Sequence, residues 1–511
     1  MTHSSTEASD VTADLAARAA LWLFVLLSCI YTLASSGRIR TADEYMQFFQ
    51  AQSLVERGST TVPQAVHFED FYGTFDLRGR PRAPYPAGQA LMAAPLLDFA
   101  RFVLAHLPGV PQREETLFYV QVFGAVLTSA VCAAGAMALF FLTLSRLGVS
   151  PENALLTTIC VALGTLLFPY SGYFFSEPFT TLVLMAAVYE VARNRRLDTR
   201  SAVVAGVLLA FAIWIRPTMG LAAPIFAAAI LLRERAAALR STMIVVILPV
   251  LSGLAYLLWN KIIFGHALEF GYPKVAEMGK QLNSFQTPFY VGLRGFLFSW
   301  GKSIFIYLPP VLLAIFAIPR LWRRDRAIAT LAAGLPLTYL AFYMTYTQWE
   351  GGLCPGPRYL LPFLCVTCLA LGPLLEAGHQ RFRRMLLILG ALGFLVQVIT
   401  YAVSFLEDQA VGAYYDSHFD YRMSYNPLVS QTERLIAYIK GKPAPLGLGF
   451  DRWFVFLHKL GISLSIEIVL AIVPIVVMVV AIVRLRNALL QMRYSEMIVI
   501  EAPALQPHPL P

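Results

Sequence analysis

The sequence predicts an all-helical, polytopic integral membrane protein: a bundle of about twelve transmembrane helices with interfacial helices in the first outer loop. Composition is the first reason, because 57% of the 511 residues are hydrophobic and only 14% are charged. Soluble proteins average about 25% charged residues. The mean hydropathy of +0.61 agrees. The other two reasons are the spacing of long apolar stretches and an uneven distribution of Lys and Arg.

A transmembrane helix needs roughly 20 mostly apolar residues. The first stretch follows an acidic, Arg-poor segment unlike a signal peptide and lacks a small-residue cleavage site, so we expect it to be retained. The predicted spans are 17–36, 117–145, 153–171, 176–193, 201–217, 219–233, 241–263, 302–319, 327–347, 358–377, 384–406 and 459–484.

Basic residues predict the orientation, because cytoplasmic loops of membrane proteins carry an excess of Lys and Arg. Alternate short connections hold eighteen of the 40 basic residues, whereas the opposite short connections hold Arg216 and Arg358. Both termini, 1–16 and 485–511, are therefore predicted to be cytoplasmic. The long connections 37–116, 264–301 and 407–458 then lie outside.

Residues 85–107 are apolar enough to suggest a further span, but they contain Asp98 and Arg101. Charged groups in mid-membrane cost several kcal/mol on insertion scales, and a span here would reverse every later basic loop. We therefore predict a helix lying at the outer interface.

The remaining composition excludes other classes of protein. The formal charge of +9 comes from Arg residues scattered between apolar runs, so it does not indicate nucleic-acid binding. Five of the six cysteines fall inside predicted spans, where a free Cys behaves as a small apolar residue, so we expect no redox or metal role for them.

The polar residues Thr41, Asp43 and Glu44 follow the first span directly. Thr41 with Glu44 forms the capping-box pattern, which alone could explain them. Asp43, however, would lie at the outer membrane boundary, where a lipid-linked substrate presents its head group. A carboxylate at a helix N-terminus stays ionised and can accept a proton from a hydroxyl in the transition state. A phosphate leaving group needs no second carboxylic acid, unlike glycoside hydrolysis.

Several motifs resemble the GT-C glycosyltransferases, in particular the protein O-mannosyltransferase (family 39) and aminoarabinose-transferase-like enzymes. They share their order and spacing with that superfamily over residues 20–380. The motifs are Asp43-Glu44-Tyr45, Tyr85-Pro86-Ala87-Gly88, Ser176-Glu177-Pro178, Ile215-Arg216-Pro217-Thr218, Phe264-Gly265-His266, the stretch from Gly295 to Lys302, and Glu350 to Pro362.

The resemblance implies a catalytic module over 17–406 that uses a polyprenyl-phosphate sugar donor and inverts the anomeric carbon by direct displacement. It implies that Asp43 is the base and that Glu44 orients the sugar or acceptor. Tyr85-Pro86-Ala87 replaces the usual double Pro, and the Lys that clamps the lipid phosphate is missing, so Arg80 or Arg82 would substitute. The resemblance also places Glu177 and Tyr45 at the acceptor side.

A leaving phosphate needs fixed cations, for which the planar guanidinium is well suited. Arg358, with Tyr359 beside it in a Gly- and Pro-rich loop, is the favoured clamp, followed by Arg216 next to Pro217. Simple snorkelling to head groups is the alternative for any of these cations. The further candidates are Arg80, Arg82, Arg294 and Lys302.

No cofactor is required by this chemistry. His67, Glu69, Asp70 and His266 could hold a divalent metal ion, although nothing in their spacing demands one. A DxD metal motif is absent from the sequence.

The expected protein is thus a glycosyltransferase of a bacterial-type cytoplasmic membrane with its active site on the extracytoplasmic face. Its partners would be the bilayer, the donor lipid and an acceptor hydroxyl on a lipid, a glycan or a protein. Two alternatives stay open at this stage: a transporter or flippase of lipid-linked saccharide, and a glycan ligase or polymerase that uses a diphosphate-linked donor.

Overall fold

The computed structural model describes residues 2–67, 71–106, 113–269, 285–352, 354–406, 426–442, 452–453 and 460–501, and these are overwhelmingly helical. Nineteen α-helices are described in those ranges. They are α1 Thr2–Ala34, α2 Ala42–Arg57, α3 Gly88–His106, α4 Glu114–Arg146, α5 Pro151–Gly164, α6 Leu167–Tyr170, α7 Ser176–Ala192, α8 Thr199–Ile215, α9 Ala222–Glu234, α10 Leu239–Phe264, α11 Phe289–Phe298, α12 Ile304–Tyr307, α13 Pro309–Arg324, α14 Arg326–Tyr343, α15 Leu361–Thr367, α16 Leu371–Glu376, α17 Gln380–Ala402, α18 Pro427–Ile439 and α19 Leu464–Glu501.

The described β-structure is a two-stranded antiparallel hairpin of β1, Thr74–Phe75, and β2, Pro81–Arg82. Short 3-10 turns join several helices. They are Pro63–His67, Pro217–Leu221, Arg235–Ala238, Arg358–Leu360 and Cys368–Ala370.

Seven described helical segments are long and apolar enough to cross a bilayer, which confirms the predicted class of polytopic helical membrane protein. The shorter α5, α7, α8, α13 and α14 occupy most of the remaining predicted spans. The seven are Ala13–Ala34, Glu114–Arg146, Pro217–Glu234, Leu239–Phe264, Arg358–Glu376, Gln380–Ala402 and Leu464–Ser495.

The helices differ strongly in how much of their surface they bury. In α4, small residues such as Ala125, Ala133 and Ala136 are fully buried, and α4 packs against α1, α3 and α7. The apolar side chains of α19 are largely exposed, with Val469 at 56% and Val476 at 55%. An exposed apolar surface of this kind suits contact with lipid tails.

The structure adds detail to three of the predicted segments. The predicted interfacial stretch 85–107 forms the helix α3, which packs on α4 and α2. The last predicted span, 459–484, begins at Leu464 and its helix continues to Glu501, because the residues after 484 keep good helix formers. The predicted outer loop 407–458 contains α18, an amphipathic helix capped by Asn426.

One end of the bundle carries the segments that matter for function, and we call it the loop end. It comprises the start of α2, the hairpin, the segment 83–87, the residues 171–177 that lead into α7, the ends of α8 and α10, and the connection 344–358. These segments contact one another through side chains from distant parts of the sequence.

Candidate active site

Asp43 lies in the first turn of α2, whose N-cap is Thr41. The Asp43 side chain is 27% exposed and accepts two hydrogen bonds. Tyr85 donates its hydroxyl to Oδ1 at 2.5 Å, and Arg358 donates Nη2 to Oδ2 at 2.8 Å. The carboxylate is thus fixed between a phenol and a guanidinium while part of it still faces solvent.

Glu44, the neighbour of Asp43, has a different environment. It is fully buried, and its oxygens accept the backbone N–H groups of Arg40, Thr41 and Phe174 at 2.9–3.1 Å. Burial raises its pKa above the ordinary Glu value, although Arg40 and these N–H groups oppose that shift. Glu44 therefore holds α2 against the segment before α7, and the geometry does not present it to a substrate.

Arg358 is held in place by aromatic rings and by a sharply turned glycine loop. Its guanidinium lies 4.7 Å from the ring centroid of Phe175 and 5.1 Å from that of Tyr359. Gly351 has φ +73°, and a Cβ there would lie 3.1 Å from the Arg358 side chain, so the loop needs glycine at this position. The buried Nε of Arg358 has no hydrogen-bond partner among the described residues.

Glu177 and Arg216 form a second buried ion pair. Arg216 Nη2 donates to Glu177 Oε1 at 2.6 Å, and Arg216 also lies 5.2 Å from the Tyr359 ring. Within the described part of the chain, Glu177 Oε2 and Arg216 Nη1 are buried without a hydrogen-bond partner. Tyr359 thus contacts two guanidinium groups that each keep an unused donor.

Tyrosine rings line the remaining side of this cluster. Tyr359 stacks on Tyr343 at 4.6 Å, and Tyr346 meets Tyr359 edge-on at 6.4 Å. Tyr72 is close enough to Asp43 and Tyr85 that both influence it, and burial raises the pKa of its phenol above the ordinary value. The Tyr72 hydroxyl therefore stays protonated and can donate a hydrogen bond at neutral pH.

The hairpin holds the two arginines that were predicted to replace the missing Lys. Asp76 Oδ2 accepts from Arg80 Nε at 2.9 Å and from Arg82 Nε at 3.0 Å, and Arg82 also donates to Thr60 at 2.8 Å. This geometry gives Arg80 and Arg82 a structural role in the hairpin, and the structure does not bring them to Asp43.

Neither Lys302 nor Arg294 has the position expected of a phosphate-binding residue. Lys302 is fully buried and donates Nζ to the carbonyl oxygens of Gly352 and Cys354. It therefore ties down the loop that carries Arg358. Arg294 is exposed on α11.

The remaining predicted site residues lie apart from the cluster. Tyr45 packs on Phe49 along α2 at 5.9 Å. His67 and His266 are both exposed, and Glu69 lies outside the described residues. No group of three metal-binding side chains occurs in the described ranges, so the structure offers no support for the predicted metal site there.

Tyr85 and Tyr72 are the site residues that the sequence did not single out. Tyr85 belongs to the Tyr85-Pro86-Ala87-Gly88 motif, but only the folded loop brings it to a carboxylate 42 positions earlier. Gly88 of the same motif indicates a close backbone contact, because a Cβ there would lie 2.5 Å from the backbone of Trp214. That close approach fixes the segment 83–87 against α8.

Comparisons by fold find membrane glycosyltransferases of the GT-C class. ArnT, an aminoarabinose transferase from Cupriavidus metallidurans, is similar in its undecaprenyl-phosphate-bound crystal structure (13% identity, 93% of this chain and 77% of that chain, TM-score 0.47). It is also similar in its apo structure (12% identity, 83% of this chain and 75% of that chain, TM-score 0.46). An Archaeoglobus fulgidus oligosaccharyltransferase tethered with an acceptor peptide is similar as well (11% identity, 87% of this chain and 59% of that chain, TM-score 0.43).

These likenesses concern the arrangement of the helices, at identities of 11–13% and TM-scores below 0.5. Nothing about the chemistry of this chain is inferred from them. No protein-family model and no curated protein matches the sequence.

Proposed function

We propose that this protein is a membrane glycosyltransferase that moves one sugar from a polyprenyl-phosphate donor to an acceptor hydroxyl. The observation that carries the proposal is a part-exposed carboxylate paired with the buried guanidinium of Arg358, beside a second buried guanidinium on Arg216; both guanidinium groups retain an unused donor. Asp43 supplies a base, and Arg358 and Arg216 supply positive charge for a leaving phosphate.

In the proposed reaction, the acceptor oxygen attacks the anomeric carbon and forms the new glycosidic bond. The bond from that carbon to the phosphate oxygen breaks, and its electron pair leaves with the polyprenyl phosphate. Asp43 accepts the proton of the acceptor hydroxyl as its oxygen becomes acidic in the transition state. The phosphate leaves as an anion and needs no proton, and a single displacement inverts the anomeric centre.

The proposed phosphate contacts are Arg358 Nε and Arg216 Nη1. A buried polar atom without a partner costs free energy, so an anion that accepts from both groups would be stabilised there. Hydrogen bonds between guanidinium groups and phosphate are among the stronger ones in proteins. Glu177, which pairs with Arg216, would fix the guanidinium rather than contact the acceptor.

An apolar cavity of about 330 Å³ begins beside Arg216 and suits the lipid chain of the donor. It is lined by residues of α8, α9 and α10 and of the turn between α8 and α9, among them Ile213, Pro217, Ala223, Val250 and Gly253. Pro217, which lines the cavity, directly follows Arg216 in the chain, so the cavity adjoins the residue that is proposed to hold the phosphate.

The proposed location is the extracytoplasmic face of a bacterial-type cytoplasmic membrane. The excess of Lys and Arg in the connections opposite the loop end supports this orientation. Both termini would then be cytoplasmic.

The experiment that tests the donor class uses purified protein in lipid vesicles with radiolabelled sugars linked to polyprenyl monophosphate or diphosphate. Transfer from the monophosphate, with release of polyprenyl monophosphate, is expected. Transfer only from the diphosphate would instead make the protein a ligase or polymerase. Entry of label into the vesicles without any glycosyl product would make it a transporter.

A further inference from the structure

A second cavity is lined by Tyr85 and not by Arg358. It has a volume of about 150 Å³ and is enclosed by the segment 83–87 and by the loop ends of α8 and α10. A backbone hydrogen bond from Leu77 to the carbonyl of Ile263, 2.9 Å long, holds the hairpin onto the end of α10 beside it. The function proposed above leaves this cavity unused.

Aromatic side chains form one wall of the cavity. Trp214 meets the ring of Tyr256 at 5.4 Å and the ring of Trp259 at 6.4 Å, both edge-on. The indole of Trp214 is fixed by donating to Ser252 at 3.1 Å. Flat rings held in this way offer rigid apolar surfaces to the C–H faces of a ligand.

Amide side chains form the opposite, polar part of the lining. Gln50 is 4% exposed and donates Nε2 to the carbonyl of Tyr85 at 3.2 Å, and its Oε1 is buried with no hydrogen-bond partner in the described part of the chain. Asn260, 1% exposed, lines the same space. Gln50 and Asn260 thus place amide groups in the lining of the cavity.

The charges around the cavity exclude an ionic head group as the preferred ligand. Arg82 is the cation in the lining, and its guanidinium is already paired with Asp76 and bonded to Thr60. The volume equals that of about five water molecules at roughly 30 Å³ each, which is enough for one sugar ring but too little for a stretch of peptide. Aromatic surfaces, amide groups and no available charge together suit a neutral ring that carries hydroxyls.

We propose that this cavity binds a sugar ring of the acceptor, so that the acceptor hydroxyl belongs to a saccharide. The inference rests on the proposed function and deepens it. Tyr85 lines the cavity and donates to Asp43 Oδ1, whereas Arg358 binds Oδ2. In a direct displacement the attacking hydroxyl and the leaving phosphate lie on opposite sides of the anomeric carbon, so the Tyr85 side of the base is the acceptor side.

The first test measures binding alone, in nanodiscs that contain the full chain, with methyl glycosides of common hexoses and pentoses as probes. We expect saturation-transfer NMR to detect at least one of them, and Trp259→Ala and Gln50→Leu to weaken its binding at least tenfold. Trp322→Ala is the matched control, because Trp322 and Trp259 are both 41% exposed. Trp259→Phe, which keeps an aromatic ring, should retain most of the binding.

Absence of binding by every glycoside, or equal binding by the wild type and Trp259→Ala, would overturn the acceptor site. Binding does not require turnover, so this result can be read even if the protein transfers no sugar. The second test uses transfer: Trp259→Ala should raise the KM for the acceptor at least tenfold, whereas the control Trp322→Ala should leave that KM unchanged. Transfer to a peptide or a lipid hydroxyl that is insensitive to Trp259→Ala would overturn the site while leaving the glycosyltransferase function intact.

Discussion

Asp43 and Arg358 are 315 positions apart in the chain, and their ion pair joins the first connection of the bundle to the Gly- and Pro-rich loop after α14. The pair fixes the orientation of the carboxylate, and Tyr85 donates to its second oxygen. Activity should therefore depend on the geometry of Arg358 as well as on its charge.

Arg358→Lys tests that dependence at the scale of one residue. Lysine keeps the charge but loses the planar set of donors that can hold Asp43 and a phosphate together. We expect the KM for the donor to rise about tenfold, equivalent to about 1.4 kcal/mol, and kcat to fall as well. Steady-state kinetics in vesicles measure both. Arg101→Lys on α3 serves as the control, and an unchanged KM for Arg358→Lys would remove Arg358 from the phosphate site.

Lys302 provides a second test. Its buried Nζ donates to the carbonyl oxygens of Gly352 and Cys354 and so is not placed to bind a phosphate. If its role is to donate hydrogen bonds to that loop, Lys302→Gln should keep clearly more activity and thermal stability than Lys302→Met. A direct phosphate contact would instead require the charge, so both variants would be equally inactive while remaining stable. Transfer rates and melting temperatures of the two proteins decide between these roles.

The place of Asp43 at the start of α2 could be predicted from the sequence, because its position after the first span and the capping box of Thr41 and Glu44 are both local features. The sequence predicts a phosphate role for Arg80 and Arg82. It does not reveal that Asp76, a few residues earlier, accepts hydrogen bonds from both guanidinium groups in a tight hairpin. The contact of Tyr85 with Asp43 depends on how the whole loop folds, so no periodic pattern could indicate it.

At the scale of elements, Asp76 holds together the hairpin between α2 and α3, and its side chain is 1% exposed. Burial raises the pKa of Asp76, but the backbone N–H groups of Arg80 and Arg78 and the guanidinium of Arg82 outweigh it, so the pKa lies below the ordinary value. A folded-state pKa below the unfolded one means that Asp76 stabilises the fold above about pH 4 and loses this effect as the pH falls further.

Asp76→Asn should therefore lower the free energy of unfolding at pH 7 by about 1–3 kcal/mol. The difference from the wild type should begin to shrink below about pH 4, the ordinary pKa of Asp, and should be lost as the pH falls through the lower pKa of folded Asp76. Thermal unfolding followed by Trp fluorescence between pH 3 and pH 7 measures this trend. Asp98→Asn, at an exposed position on α3, is the control. A stability difference that does not change with pH would contradict the electrostatic explanation.

The proposed binding of the lipid chain in the apolar cavity can be tested with a substitution in α10. A Cβ at Gly253 would meet no heavy atom within 4 Å, so a larger side chain can enter the cavity without disturbing the packing of the helix. We expect Gly253→Leu to raise the KM for a long-chain polyprenyl-phosphate donor at least fivefold. A donor with a short chain should be used as well as by the wild type. Equal KM values for both donors in this variant would place the lipid chain elsewhere.

At the scale of the whole molecule, composition and apolar length were sufficient to predict a helical membrane protein. Two predicted spans are divided in the structure: 153–171 into α5 and α6, and 302–319 into α12 and α13, where Pro309 and Pro310 begin the second helix. The grouping of the loop-end segments around Asp43 depends on which helices pack together, and hydropathy contains no such information.

The predicted orientation can be tested with single cysteines on the two sides. In intact cells, a membrane-impermeant maleimide should label Glu56→Cys at the end of α2 and should not label Arg196→Cys between α7 and α8; both positions are exposed. Both variants should be labelled after the cells are lysed. Labelling of Arg196→Cys alone in intact cells would reverse the orientation and put the loop end in the cytoplasm.

The most direct measurement of the central claim is the transfer rate of Asp43→Asn in vesicles with saturating polyprenyl-monophosphate sugar and acceptor. Removal of a general base predicts a fall in kcat of about a hundredfold or more, with donor binding nearly unchanged. Asp98→Asn should retain the wild-type rate. Transfer by Asp43→Asn at close to the wild-type rate would contradict the assignment of Asp43 as the base and with it the proposed mechanism.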